Sequence, residues 1–148
     1  MRMKQPEPRE HRTRRRTERM LIVDDDPDVR RMLRRLFEPD YEVSEAEDGV
    51  AAWDIYPRYR PAFLVTDIQM PRLDGLSLCR ILRARGFRQL RIIVYTSQSI
   101  SIAEARSAGA DELVLKTEPL AHLRELVKKL HARTAEVNSG GPLGPEPR

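Results

Sequence analysis

This chain of 148 residues has little cysteine, no long apolar run and no leader-like segment. Cys79 is its single cysteine, which excludes an intrachain disulfide and a cysteine-based zinc cluster, so a reducing intracellular compartment is the default expectation. No apolar run reaches the roughly 18–20 residues of a membrane span. Residues 1–19 are basic but lack the apolar stretch of a secretory signal. We therefore expect a cytoplasmic protein that is not associated with a membrane.

The positive charge of the chain is concentrated near its N-terminus. Lys and Arg number 27 against 23 Asp and Glu, which gives a net charge of +4. Residues 1–19 carry +5, the Pro/Gly-rich residues 137–148 are neutral, and residues 20–136 carry −1. Neither end has the apolar periodicity that would offset its ordering entropy by burial. We predict a disordered basic arm over residues 1–19, one domain over 20–133, and a disordered tail over 134–148.

Between these ends, short apolar blocks alternate with helical patterns. Buried or half-buried strands are predicted at residues 20–24, 41–46, 62–68, 91–97 and 112–116. Helices are predicted from Asp26-Pro27 to about residue 37 and over about 48–57, 74–84, 100–108 and 119–133. Five strands alternating with five helices predict an α/β fold with a doubly wound parallel sheet. Such sheets bind ligands at the carboxyl ends of their strands.

Polar residues with complementary chemistry stand at four of the five predicted strand ends. Asp24-Asp25 end the first strand, Asp67 the third, Thr96 the fourth and Lys116 the fifth. Three carboxylates brought together repel one another, and a divalent cation relieves that repulsion. Oxygen ligation by few protein groups favours Mg²⁺, and a lysine supplies a point charge for a phosphoryl oxygen. The set is therefore suited to phosphoryl transfer, with a carboxylate as nucleophile.

These residues, together with TDIQMPRLDG at 66–75, resemble the response-regulator receiver domain of two-component signalling, in its stand-alone, single-domain form. The resemblance covers residues 20–133. It implies a flavodoxin-like (βα)5 fold with strand order 2-1-3-4-5. It also implies that Asp67 is the phospho-acceptor, whereas Asp74-Gly75 is interpreted as helix-start chemistry and kept out of the site.

The resemblance also assigns roles to the other strand-end residues. Mg²⁺ would be held by Asp25, Asp67 and the backbone carbonyl of Gln69, with Asp24 acting through water. The phosphoryl group would be contacted by Thr96 and Lys116.

The partners implied are proteins. A sensor histidine kinase or phosphotransfer protein would donate the phosphoryl group, with helix one as its docking surface. The domain would catalyse its own phosphorylation and dephosphorylation, and we do not class it as an enzyme. Since only about 15 residues follow the last predicted helix, we expect output through binding to a downstream protein target. A phosphorylation-dependent dimer is left open.

Two positions depart from the family pattern. The family usually has proline directly after the lysine, whereas this chain reads Lys116-Thr117-Glu118-Pro119, so the loop that aims Lys116 is expected to be built differently. The family also tends to place Tyr or Phe three residues before the lysine, where this chain has Leu113. Tyr95 is not an obvious substitute, because it neighbours Thr96 and points to the opposite face of the sheet.

Two rival functions were weighed. Asp24-x-Asp26 resembles the nucleophile motif of haloacid-dehalogenase-type phosphatases, but that family expects Thr or Val at Asp28 and an acidic pair ending a later strand. Asp111-Glu112 precedes a strand, and Asp26 is better explained as a helix cap.

The second rival is weak nucleic-acid contact through the basic arm. The alternatives are that the arm is only a solvated tail, or that translation starts at Met20.

Overall fold

The computed structural model describes residues 18–139 as five strands alternating with five helices. The strands are β1 (Arg19–Val23), β2 (Glu42–Ala46), β3 (Phe63–Thr66), β4 (Arg91–Thr96) and β5 (Glu112–Leu115). The helices are α1 (Pro27–Phe37), α2 (Gly49–Tyr59), α3 (Gly75–Ala84), α4 (Ile102–Ala108) and α5 (Leu120–Ser139). All ten predicted elements are present in the predicted order.

The five strands form one parallel sheet in the order β2-β1-β3-β4-β5, which confirms the predicted topology. The register pairs Val23 of β1 with Thr66 of β3, and Thr96 of β4 with Leu115 of β5. The carboxyl ends of β1, β3, β4 and β5 therefore meet at one edge of the sheet, as expected where ligands bind in such folds.

Acidic residues begin three of the helices. Asp26 accepts a hydrogen bond from the Asp28 amide, and Pro27 occupies the first helical turn of α1. Asp48 caps α2 by accepting from the Ala51 amide, and Asp74 caps α3 by accepting from the Ser77 amide. Each cap satisfies an amide that the helix itself leaves unpaired. Part of the acidic character of this chain is therefore structural.

The core lies on both faces of the sheet, and the two sides are covered by different helices. Buried side chains from α2, α3 and α4, including Leu78, Cys79 and Leu82, pack on one face. Leu33 and Phe37 of α1 pack with α5 side chains on the other face. Strands β1, β3 and β4 are buried on both faces, which explains why they appear in the sequence as continuous apolar runs.

The ends of the chain differ from the prediction. β1 begins at Arg19, inside the predicted arm, because Met20 to Val23 pair with β2 and Arg19 pairs with Glu42. Helix α5 continues to Ser139, beyond the predicted end at 133, since neither Gly nor Pro interrupts the chain before Gly140. The predictions for residues 1–17 and 140–148 lie outside the described residues.

Within residues 18–139, the structure contains no helix that combines the length and apolar character needed to span a bilayer.

The thiol of Cys79 is fully buried, and burial raises its pKa to about 12. Because the thiolate is the reactive form, we predict that the native protein at pH 8 reacts with a disulfide reagent such as Ellman's only as it unfolds. One equivalent should react at once in guanidinium chloride, and fast labelling without denaturant would contradict the burial. The folded-state pKa lies above the unfolded value of 9.0, so this group lowers stability as pH rises between those two values.

Candidate functional site

The strand-end residues meet at the carboxyl edge of the sheet, where the sheet's own hydrogen bonds hold them. The Asp24 amide donates to the Ala46 carbonyl at 3.2 Å, and the Asp67 amide donates to the Val23 carbonyl at 2.9 Å. The Lys116 amide donates to the Thr96 carbonyl at 2.8 Å. The backbone ladder thus extends one residue past β1, β3 and β5, and the first residue beyond each strand is a charged one.

Three carboxylates form a cluster at this edge. One oxygen from each of Asp24, Asp25 and Asp67 lies within 4.8 Å of the other two. Asp24 and Asp67 are buried, whereas Asp25 is exposed. Burial raises the pKa of the Asp24 carboxyl, and its hydrogen bond from Lys116 offsets part of that rise. An oxygen-only donor set with one solvent-facing member fits a hard divalent cation.

Lys116 joins two of these carboxylates. Its Nζ donates to Asp24 Oδ2 and to Asp67 Oδ2, each at 2.8 Å. Burial favours the neutral amine, but the two hydrogen bonds outweigh it and raise the pKa of Lys116 above its ordinary value. Lys116 therefore places a positive charge directly beside Asp67.

Thr96 and Gln69 belong to the same edge by position. Thr96 is fully buried at the end of β4, and its Oγ1 accepts a hydrogen bond from the Gln98 amide at 3.2 Å. Gln69 is exposed and lines a pocket of about 520 Å³ beside Asp25. Through Asp25, this pocket borders the carboxylate cluster.

Gly75 holds the backbone of Asp67 in place, which sequence reasoning missed. The Gly75 amide donates to the Ile68 carbonyl at 2.9 Å, so α3 begins directly against the loop that follows β3. A Cβ at Gly75 would overlap the Asp67 carbonyl oxygen and would lie 2.8 Å from its carbonyl carbon. Only glycine permits this approach. The DG pair at 74–75 marks a helix start in the sequence, but only the folded structure shows what lies opposite it.

A second contact secures the same loop from α2. Arg72 has φ +70°, in the left-handed region, and its guanidinium pairs with the buried carboxylate of Asp48. The Gly49 amide donates to the Leu73 carbonyl at 3.2 Å. The hydrogen bond from Ala51 lowers the pKa of Asp48, and the bond from Arg72 lowers it further, against the effect of burial. The start of α2 therefore fixes the loop between Asp67 and α3.

The loop after Lys116 is built around Glu118, in place of the family's usual proline. The Glu118 amide donates to the Leu115 carbonyl at 2.9 Å, which closes a turn. Its carboxylate accepts from the Leu115 amide at 2.6 Å and also contacts His122 Nδ1 at 2.8 Å. The peptide bonds of residues 18–139 are all trans. Glu118 thus fixes the turn that follows Lys116.

Tyr95 and Thr96 are neighbours in β4, so their side chains are expected on opposite faces of the sheet. Tyr95 lies in the buried cluster that includes residues of α1 and α5. Leu113 packs partly against the opposite cluster, beneath α2, α3 and α4. The sequence did not predict that the Tyr95 ring reaches Lys116, whose Nζ lies 5.9 Å from the ring centroid.

The residues of the phosphatase alternative serve other purposes. The Asp26 carboxylate caps α1. Asp111 accepts from the Ile92 amide at 2.8 Å and pairs with Arg83 at 3.1 Å, which ties β4 to α3. Neither carboxylate is part of the cluster formed by Asp24, Asp25 and Asp67.

Comparison with known proteins shows the family to which this chain belongs. A family model described as the response regulator receiver domain matches residues 20–128, well over half of the 148 residues. The chain therefore belongs to the response regulator receiver domain family.

The relatives it resembles are response regulators. Response regulator MprA of Mycobacterium sp. (strain KMS) is 43% identical over 121 residues, which are 79% of this chain and 52% of that protein. The chain thus spans about half the length of the curated relatives it matches.

Two solved structures share the fold along nearly their whole length. The receiver domain of a Francisella response regulator has a TM-score of 0.74 at 27% identity, covering 79% of this chain and 98% of that one. Response regulator protein TrrA from Thermotoga maritima, solved in complex with Mg(2+)-BeF, has a TM-score of 0.69 at 34% identity, with coverages of 76% and 98%.

The domain is therefore a phospho-acceptor signalling switch of the two-component type, and these findings do not favour the phosphatase alternative.

Replacing Gly75 by Ala should displace the Asp67 backbone, because the added methyl group would overlap the Asp67 carbonyl oxygen. We expect overpacking to cost about 1–3 kcal/mol of unfolding free energy, measured by denaturant titration. Gly86→Ala is the matched control, since its Cβ would meet nothing within 4 Å and the residue carries only a left-handed φ of +87°. In Gly86→Ala, this left-handed φ should lower the free energy of unfolding by about 1 kcal/mol. A Gly75→Ala variant as stable as the wild type would refute the close approach.

Proposed function

We propose that Asp67 is the phospho-acceptor of this switch. The observation that supports it most is the place of its carboxylate, which joins the cluster with Asp24 and Asp25 while Oδ2 accepts from Lys116. Oδ1 accepts from the Ile68 amide at 2.7 Å, so the side chain has a defined orientation. Positioning and charge neutralisation are what phosphoryl transfer chiefly requires of a protein.

The proposed step transfers a phosphoryl group from a phosphohistidine to Asp67. An Asp67 carboxylate oxygen attacks phosphorus, and a new O–P bond forms as the N–P bond to the donor histidine breaks. The bonding electron pair returns to the imidazole nitrogen of the donor. The product is an acyl phosphate, and water attacking its phosphorus would later return the free carboxylate and inorganic phosphate.

The residues that would hold Mg²⁺ are Asp24, Asp25, Asp67 and the backbone carbonyl of Gln69. The cluster fits a hard cation, because its donors are oxygens and a cation would relieve the repulsion among three neighbouring carboxylates. When bound, the cation would neutralise charge on the phosphoryl oxygens. Solved relatives support this assignment, since TrrA was solved in complex with Mg(2+)-BeF.

Lys116 and Thr96 would bind the phosphoryl group once it has formed. Lys116 already lies 2.8 Å from the acceptor oxygen, and its ammonium is free to rotate among anions. Thr96 ends the neighbouring strand and presents a hydroxyl that can donate to a phosphoryl oxygen. Drawing both residues toward the new dianion would shift the equilibrium between two conformations of the domain.

The donor would be a sensor histidine kinase or a phosphotransfer protein, and the output would be binding to a downstream protein target. Membership of the receiver family supports this part of the proposal. We place the activity in the cytoplasm, the compartment that a single-cysteine composition favours. A phosphorylation-dependent dimer and nucleic-acid contact through residues 1–19 remain predictions.

Incubating the protein with acetyl phosphate tests the acceptor. We expect the intact mass to increase by the mass of one phosphoryl group when Mg²⁺ is present. No adduct should form when EDTA chelates the metal from the start. Asp67→Asn should take up no phosphate under the same conditions. Equal labelling of wild type and Asp67→Asn, or labelling that is unaffected by EDTA, would sink the assignment.

Neighbouring aspartates provide a matched pair for testing the metal ligands. Asp25→Asn removes a cluster carboxylate and should weaken Mg²⁺ binding about tenfold or more, because affinity follows ligand charge. Asp26→Asn changes the adjacent charge but keeps the helix cap, since Asn caps as well as Asp. Calorimetric Mg²⁺ titration should therefore separate the two variants, and similar affinities for both would argue against a role for Asp25.

A further inference from the structure

The ammonium of Lys116 has a third neighbour besides its two carboxylates, and this neighbour is an aromatic ring. Its Nζ lies 5.9 Å from the centroid of the Tyr95 ring, within the range of a cation–π contact. Two of its N–H groups donate to Asp24 and Asp67. The ring therefore contacts the cation from within the core, while the carboxylates hold it at the edge of the sheet.

We propose that Tyr95 is a positioning residue for Lys116, whose ammonium it holds beside Asp67 through the face of its ring. The contact itself is independent of phosphorylation, whereas its effect on the phosphoryl group rests on the function proposed above.

The Tyr95 ring is held within the core. Tyr95 lies in β4, is 4% exposed, and belongs to the buried cluster with Val114 of β5 and with Leu123 and Val127 of α5. Burial raises the pKa of its phenol, so the ring remains neutral. Its face thus presents a fixed negative potential to a cation.

Lys116 needs such a constraint. Its side chain carries four rotatable carbons and starts from the turn closed by Glu118, and only 20% of that side chain is exposed. A lysine held by anions alone would follow them, and these anions change when the Asp67 carboxylate is replaced by an acyl phosphate dianion. The ring does not change in that step, so it keeps the ammonium near the site while the anions around it change.

The same ring belongs to the buried cluster that includes Leu123 and Val127 of α5. A shift of Lys116 toward a phosphoryl group would therefore alter a contact made by a member of that cluster. Tyr95 therefore joins the phosphoryl site to the helix covering the α1 and α5 face, at a place where the family's usual aromatic position is occupied by Leu113.

A direct test is the NMR shift of the Lys116 Hε protons, which does not depend on phosphorylation. The ring current of Tyr95 should move these protons upfield in the wild type and in Tyr95→Phe, and the shift should be lost in Tyr95→Leu. Tyr95→Met, which is unbranched and flexible, serves in place of Tyr95→Leu if that variant does not fold. Unchanged Lys116 shifts in a folded ringless variant would overturn the contact.

A double-mutant cycle on the labelling rate tests whether the ring acts through Lys116. The rate of Mg²⁺-dependent labelling of Asp67 by acetyl phosphate should fall about 2- to 10-fold in Tyr95→Leu, as expected for a partly desolvated cation–π contact. Tyr95→Phe should restore the rate. In a Lys116→Met background, Tyr95→Leu should have no further effect, because the cation it positions is gone.

The possible failures are distinguishable. A wild type that takes up no phosphate refutes the proposed function, while the NMR test of the contact still stands. An equal loss from Tyr95→Leu with and without Lys116 would show that the ring only supports packing, which overturns the inference but not the function.

Discussion

The arrangement at the carboxyl edge depends on one charge balance. One oxygen from each of three carboxylates lies within 4.8 Å of the other two. Lys116, 92 residues after Asp24, donates a hydrogen bond to two of them, Asp24 and Asp67. A parallel sheet makes this pairing possible, because it brings the ends of strands distant in sequence to the same edge. The carboxylates would repel without the lysine, and the lysine would be costly to bury without the carboxylates.

The fold was predictable because its strongest signals are local. β1, β3 and β4 are buried on both faces and appear as unbroken apolar runs, and Asp26, Asp48 and Asp74 mark helix starts through their capping chemistry. The two ends of the domain were less predictable. Arg19 joins β1 because β2 supplies a partner for it, and α5 extends to Ser139, directly before Gly140 and beyond the predicted end at 133. Pairing across the sheet leaves no distinctive local pattern in the sequence of one strand.

The residues of the site show the same contrast between local signals and contacts with distant segments. Asp24, Asp67, Thr96 and Lys116 were predictable because strand ends can be located in sequence and the topology then brings them together. The residues that hold them were not predictable, because each acts through a contact with a distant segment. Gly75 is needed by the Asp67 backbone, and Glu118 is needed by the Leu115 amide. In the sequence, both resemble ordinary loop and turn residues.

The pairing of Arg72 with Asp48 gives the loop after Asp67 an unusual source of order. Arginine at φ +70° occupies a backbone conformation that costs roughly 1–2 kcal/mol for a residue with a Cβ, so the backbone alone does not favour this geometry. An ion pair holds it instead, and that pair joins a side chain that is 60% exposed to one that is 1% exposed. Dissolved ions screen the exposed partner far more effectively than the buried one. The shape of the loop beside the phospho-acceptor is therefore linked to the ionic strength of the surrounding solution.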